Sequence, residues 1–195
     1  MEREIAWKKY NDDTKKKVFE FADDYKKFIS ECKTERECTK RAVEIAKSAG
    51  YEDLKEVIAS GKTLKAGSKV YAVNMNKAIV LFNIGEEPIE NGMNILGAHI
   101  DSPRLDIKQN PLYEDCGLAL LDTHYYGGIK KYQWVAMPMA LHGVVALKDG
   151  TNVEITVGEE ADDTVVGISD LLIHLASEQM EKKGSSVVEG EDLDI

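Results

Sequence analysis

The run "MNILGAHI", residues 93–100, constrains this chain most. It is a short, nearly unbroken apolar stretch between the loop "EEPIENG" and a turn stiffened by Pro103. Its length and lack of polar alternation predict a strand buried on both faces, in the middle of an α/β sheet. Ligands in open α/β sheets gather at the carboxyl ends of strands, and His99 sits where this run gives out, with Asp101 two positions on. A histidine there can point its imidazole into a crevice, and zinc accepts imidazole nitrogen readily. Asp101 then either binds the metal through oxygen or holds the other ring N–H and fixes the tautomer. The plain alternative is a turn aspartate beside a half-buried histidine.

The rest of the chain reads as helices first and strands later. Residues 12–32 form a helix, with Val18, Phe21, Ala22, Tyr25, Phe28, Ile29 and Cys32 at helical spacing. Thr34-x-x-Glu37 is a capping box that starts a second helix. Cys38, Ala42, Ile45, Ala46 and Ala49 are its apolar stripe, and Gly50 suits its exit. A short helix over 53–59 follows. "KVYAVNMNKAIVLFNIG" reads as a hairpin turning at "NMNK". After Pro111 come short β-type runs, "GLALLDTHYYGGI", "MALHGVVAL" and "NVEITVG", the last two joined through Asp149-Gly150, a hairpin signal. "ISDLLIHLASEQME" suggests a helix. The tail, "KKGSSVVEGEDLDI", is acidic and is expected to be exposed, without a core of its own.

Several function classes are excluded or lack support. A formal net charge of −10 argues against nucleic-acid binding, which needs a basic face. No apolar run is long enough to span a membrane, and the N-terminus has no signal-peptide core, so the cytoplasm is the expected compartment. Cys32, Cys38 and Cys116 form no CxxC pair and are expected to stay reduced, the first two packing as small apolar residues. There is no Walker A, G-x-S-x-G, H-E-x-x-H or G-x-G-x-x-G pattern. His124 and His142 read as packing residues in β runs, and His174 lies at the edge of an apolar segment. "GEEADD", residues 158–163, reads as a solvated loop.

Taken in order, "GAHIDSPRLDIKQNP", "DTHYYGGIKKYQW", "ALHGVV" and "ISDLLIHL" resemble successive segments of the M18 metallo-aminopeptidases, the aspartyl aminopeptidase group. The resemblance covers most of the chain. It implies an α/β fold: part of a helix-flanked mixed sheet, the catalytic domain, over residues 1–108, then a β-rich inserted dimerisation domain over 109–195. It implies two divalent metal ions, zinc or cobalt, that activate water against the N-terminal peptide bond of peptide substrates. By position, His99 would be a metal ligand and Asp101 its orienting partner. His174 would be the histidine lent to a neighbouring subunit's active site, in dimers that build a tetrahedral dodecamer. Two departures, "THYYGG" without an acidic residue before Tyr-Gly-Gly and "VAMPMAL" in place of an Asp-Arg pair, bear on the preference for acidic N-terminal residues.

The family's other ligands, a bridging aspartate, a glutamate pair, a further carboxylate and a last histidine, have no counterpart here. The expectation is that they lie on further chain and that these 195 residues alone are inactive and bind zinc weakly. The rival readings are a non-catalytic oligomerisation or binding module of the same family, and an unrelated small α/β domain.

Overall fold

A computed structural model describes residues 3–195. The chain divides into two compact units, the first ending at Asp101 and the second running Ser102–Ile195. Among the described residues no helix is long and apolar enough to cross a membrane.

The first unit is a small mixed sheet flanked by helices. Its elements are α1 (Asp12–Glu31), α2 (Glu35–Ser48), β1 (Glu52–Asp53), α3 (Leu54–Ala59), β2 (Lys69–Asn74) and β3 (Ala78–Asn83). Local chemistry sets their ends. The Asn11 side chain accepts from Thr14 N–H at 2.8 Å, satisfying a free donor of the first turn of α1. The capping box forms as the sequence predicts: Glu37 N–H donates to Thr34 Oγ1, and Thr34 N–H donates to Glu37 Oε2. β1 runs parallel to β2, and β2 antiparallel to β3. The hairpin turns at Met75 and Asn76, both left-handed at φ +51° and +56°, the pairing a type I′ turn requires.

Cys38, Thr39, Ala46, Val57, Val70 and Tyr71 are buried. α2 thus buries Cys38 and Ala46 of the predicted stripe, but with the face shifted to take in Thr39 and leave Ile45 exposed. The small side chains on this face let the helix lie close against β2 and β3. On α1 the predicted stripe is only half covered. Phe21, Tyr25 and Ile29 stand in solvent, and no residue of the helix is fully buried.

The expected central strand is absent. Residues 92–103 carry no regular structure, Ile95 and Met93 are exposed, and Leu96 is 100% exposed. A strand buried on both faces needs neighbours on both edges and a layer above and below. Among the described residues nothing pairs with this run, so it stays extended and open.

The second unit is built of two-stranded ladders. β4 (Arg104–Asp115) pairs with β5 (Leu118–Tyr126), β6 (Pro138–Met139) with β9 (Val166–Gly167), and β7 (Leu141–Ala146) with β8 (Asn152–Val157), all antiparallel. The β4–β5 turn places Cys116 and Gly117 at φ +52° and +77°, again a type I′ turn. The ladder slips between Ile107 and Leu112, around Pro111, which has no N–H to donate. Asp149-Gly150 does join a hairpin: Gly150 takes φ +88° and Asp149 accepts from Thr151 N–H. The predicted helix near His174 shrinks to α4 (Ser177–Met180), because Asp170 accepts from Leu171 N–H and from the Gln179 amide and holds a turn instead.

The acidic tail is the largest surprise. Leu193 is 0% exposed and, with Val188 and Ile168, forms the core of this unit, packed by Leu105, Trp134, Val135 and Ile195. The tail is held by polar bonds as well. Leu121 and Ile195 exchange both backbone hydrogen bonds, at 2.7 and 3.1 Å. Thr123 Oγ1 donates to Leu193 C=O at 2.7 Å and Thr123 N–H to Asp194 at 2.9 Å. Tyr113 O–H donates to the second Asp194 oxygen at 2.6 Å. Glu189, Glu191 and Asp192 are exposed, while Leu193 is buried and Asp194 is bonded to the ladder, which is why net charge disguised a core segment.

Two outcomes follow for stability. Leu193→Ala should cost about 2–5 kcal/mol, read by urea unfolding with Trp134 fluorescence in a Trp7→Phe background. The bond to Asp194, with some burial, lifts the Tyr113 hydroxyl from 10.0 to about 12. A folded pKa above the unfolded one stabilises fully below pH 10.0, and that contribution is lost as pH rises towards 12. Tyr113→Phe should therefore lower stability at neutral pH and flatten this part of the alkaline loss.

Candidate metal centre

His99 closes the exposed run, with its side chain 83% accessible. Its Nδ1 lies 2.9 Å from the Asp101 backbone oxygen and 3.1 Å from Asp101 Oδ1. Both neighbours only accept, so Nδ1 carries the proton and, in the neutral ring, the Nε2 lone pair is open to solvent. Of the two roles open to Asp101, the contact present is the one that fixes the tautomer. The Ser102-Pro103 turn follows directly, and Pro103 lies against Gly127, where a Cβ would meet its ring at 3.5 Å.

This pair suits one ligand position of a zinc site: an imidazole nitrogen with its other N–H anchored. The rest of a site is not assembled. Among the described residues no three His, Cys, Asp or Glu side chains gather as a metal ion would require. His174 lies in the second unit, in an exposed run in which Leu171, Leu172, Ile173 and Leu175 are all open to solvent.

The other histidines are engaged structurally. His142 Nε2 lies 2.8 Å from Glu159 Oε1, with the imidazole mostly covered. His124 stacks on Tyr125, ring centroids 5.5 Å apart. In the "GEEADD" loop, Asp163 accepts from the N–H groups of Gly158, Glu159 and Glu160, which hold its carboxyl below the usual range. That carboxylate is a backbone cap. Burial, followed by the neighbouring Cys38 and nearby acids, pushes the Cys32 thiol up to about 11, and burial raises Cys38 too, so both stay protonated and unreactive at neutral pH. Cys116 is exposed in its turn.

One constellation went unread in the sequence. Arg104 stacks 4.2 Å over the Tyr126 ring, its cross-strand partner, and donates to Asp106 at 2.7 Å. The alternation in "RLD" was the available signal: Arg104 and Asp106 share a face, with Leu105 turned to the core.

Comparison with known proteins places this geometry. Residues 28–193 match the family model described as "Aminopeptidase I zinc metalloprotease (M18)". A "Probable M18 family aminopeptidase 1" of Clostridium acetobutylicum is 60% identical over 190 residues, which is 97% of this chain and 41% of that protein. The crystal structure of an M18 family aminopeptidase from Thermotoga maritima superposes with a TM-score of 0.88 at 41% identity, over all of this chain and 41% of that one. Aminopeptidase I from Clostridium acetobutylicum gives a TM-score of 0.84 at 58% identity, over all of this chain and 43% of its own. The mixed α/β architecture with small sheets is thus that of solved M18 aminopeptidases, and the chain spans about two fifths of the length of these relatives. On the family match and on these identities, the chain belongs to the M18 peptidase family.

Proposed function

We propose that this chain is the N-terminal portion of a two-metal aminopeptidase that removes the N-terminal residue of peptides. The observation that carries the reading is the His99–Asp101 pair, which leaves Nε2 free on an anchored ring. His99 would hold one metal ion, with Nε2 the ring nitrogen left open by the contact to Asp101. Asp101 keeps the proton on Nδ1, orients the ring and raises its basicity as a ligand. Zinc or cobalt, when bound, would supply Lewis-acid polarisation of the scissile carbonyl and activation of water. The remaining ligands come from chain beyond these residues, so the 195-residue piece is inactive alone.

On the same reading, residues 1–108 belong to the catalytic domain and 109–195 to a dimerisation domain. His174 reaches the active site of a neighbouring subunit and donates to the substrate carbonyl. The exposed apolar side chains of Leu171, Leu172, Ile173 and Leu175 around it support this, because an uncovered cluster of that kind marks a contact surface. The enzyme works as a homo-oligomer, a dimer within a dodecamer, in the cytoplasm.

The test is made in the full-length protein. His99→Ala should remove bound metal and aminopeptidase activity while assembly persists, as read by metal analysis, peptide hydrolysis and light scattering. Asp101→Asn should weaken metal affinity or activity by about 10–100-fold. Unchanged metal content and activity in both variants would favour the assembly module instead. The 195-residue piece alone should show no tight, stoichiometric zinc binding; a two-metal signal from it would overturn the reading.

A further inference from the structure

The loop before the exposed run contains the chain's one Asn-Gly pair, Asn91-Gly92. The other seven asparagines, Asn11, Asn74, Asn76, Asn83, Asn94, Asn110 and Asn152, precede larger residues. We propose that Asn91 is a site of spontaneous backbone modification, converting to aspartate and isoaspartate through a cyclic imide.

The chemistry needs the next residue's backbone nitrogen to reach the asparagine side-chain carbonyl carbon. Only glycine presents that nitrogen without a Cβ in the way. Gly92 sits at φ 109° and ψ 176°, a region other residues avoid, and no atom lies within 4 Å of where its Cβ would be. The surroundings give little protection. Every residue from 85 to 99 is exposed except for its backbone bonds, and the 3-10 turn Ile89–Asn91 buries none of its side chains. The bonds that must open are few: Gly92 N–H to Ile89 C=O and Asn91 N–H to Pro88 C=O, both at 3.0 Å, and the Asn91 amide to Glu87 at 3.3 Å. A short exposed turn opens at small free-energy cost.

The step balances without any oxidant or cofactor. The Gly92 nitrogen loses its proton to solvent and bonds to the Asn91 side-chain carbon, and the side-chain nitrogen leaves with protons as ammonia. Water then opens the ring at either carbonyl. One opening gives aspartate. The other gives isoaspartate, which routes the backbone through the former side chain and adds a carbon to the main chain. Either product adds a negative charge just upstream of the run that carries His99, and isoaspartate also lengthens the backbone there.

Asp149-Gly150 is the comparison within the same chain. There the carboxylate accepts from Thr151 N–H at 2.9 Å and lies below its usual pKa, so it is held ionised as a poor electrophile.

The test is peptide mapping by mass spectrometry of the full-length protein after incubation in mildly alkaline buffer, with isoaspartate counted by enzymatic methyl transfer. Asn91 should convert at least about tenfold faster than any other asparagine, faster at higher pH, and Asn91→Gln should remove the isoaspartate signal. Conversion spread evenly over the asparagines, or none at Asn91 when the urea-unfolded protein converts there, would overturn the proposal. The readout is mass and isoaspartate content, so it stands apart from the metal reading of His99.

Discussion

Every backbone N–H and C=O removed from water must find a partner, and that requirement decides which parts of this chain are settled. Each well-formed strand has its mate close by in sequence: β2 with β3, β4 with β5, β7 with β8. The run at 93–100 is largely apolar, yet residues 93 to 99 are all exposed, and nothing among the described residues offers the run a ladder. An apolar run whose backbone groups find no protein partner is left in water. Leu96 in full solvent and Leu193 in none make the point within one molecule.

What was legible in the sequence was what neighbours in the chain determine. The capping box at Thr34 and Glu37, the turn at Met75-Asn76 and the hairpin through Asp149-Gly150 each depend on a few adjacent residues, and each is present. What was illegible depended on distant partners. The face that α2 buries is chosen by the sheet beneath it, so Thr39 replaced Ile45 inside. The tail looked like solvated acid because its alternation, Asp192, Leu193, Asp194, Ile195, was outweighed by its charge. Its place in the core rests on Thr123 and Leu121, far away in sequence.

The candidate site divides in the same way. The His99–Asp101 contact spans two residues and was open to reading from spacing. The rest of a metal centre is a long-range constellation, and the chain covers only about two fifths of the relatives it matches. The Arg104–Tyr126 stack lies between these cases. It joins adjacent strands, but register is fixed only once the Cys116-Gly117 turn is known.

The bonds from Thr123 to the tail carry a kinetic consequence. They join residues 70 and 71 positions apart. The hairpins need only the closing of short loops, which takes microseconds. The second unit's core must instead pay the entropy of drawing in a long loop before any contact rewards it. On a ribosome, synthesis runs strictly forward, so the ladders from β4 to β8 emerge and close with an unfilled apolar face. That face waits until Leu193 has left the exit tunnel, and only then does the unit acquire an interior.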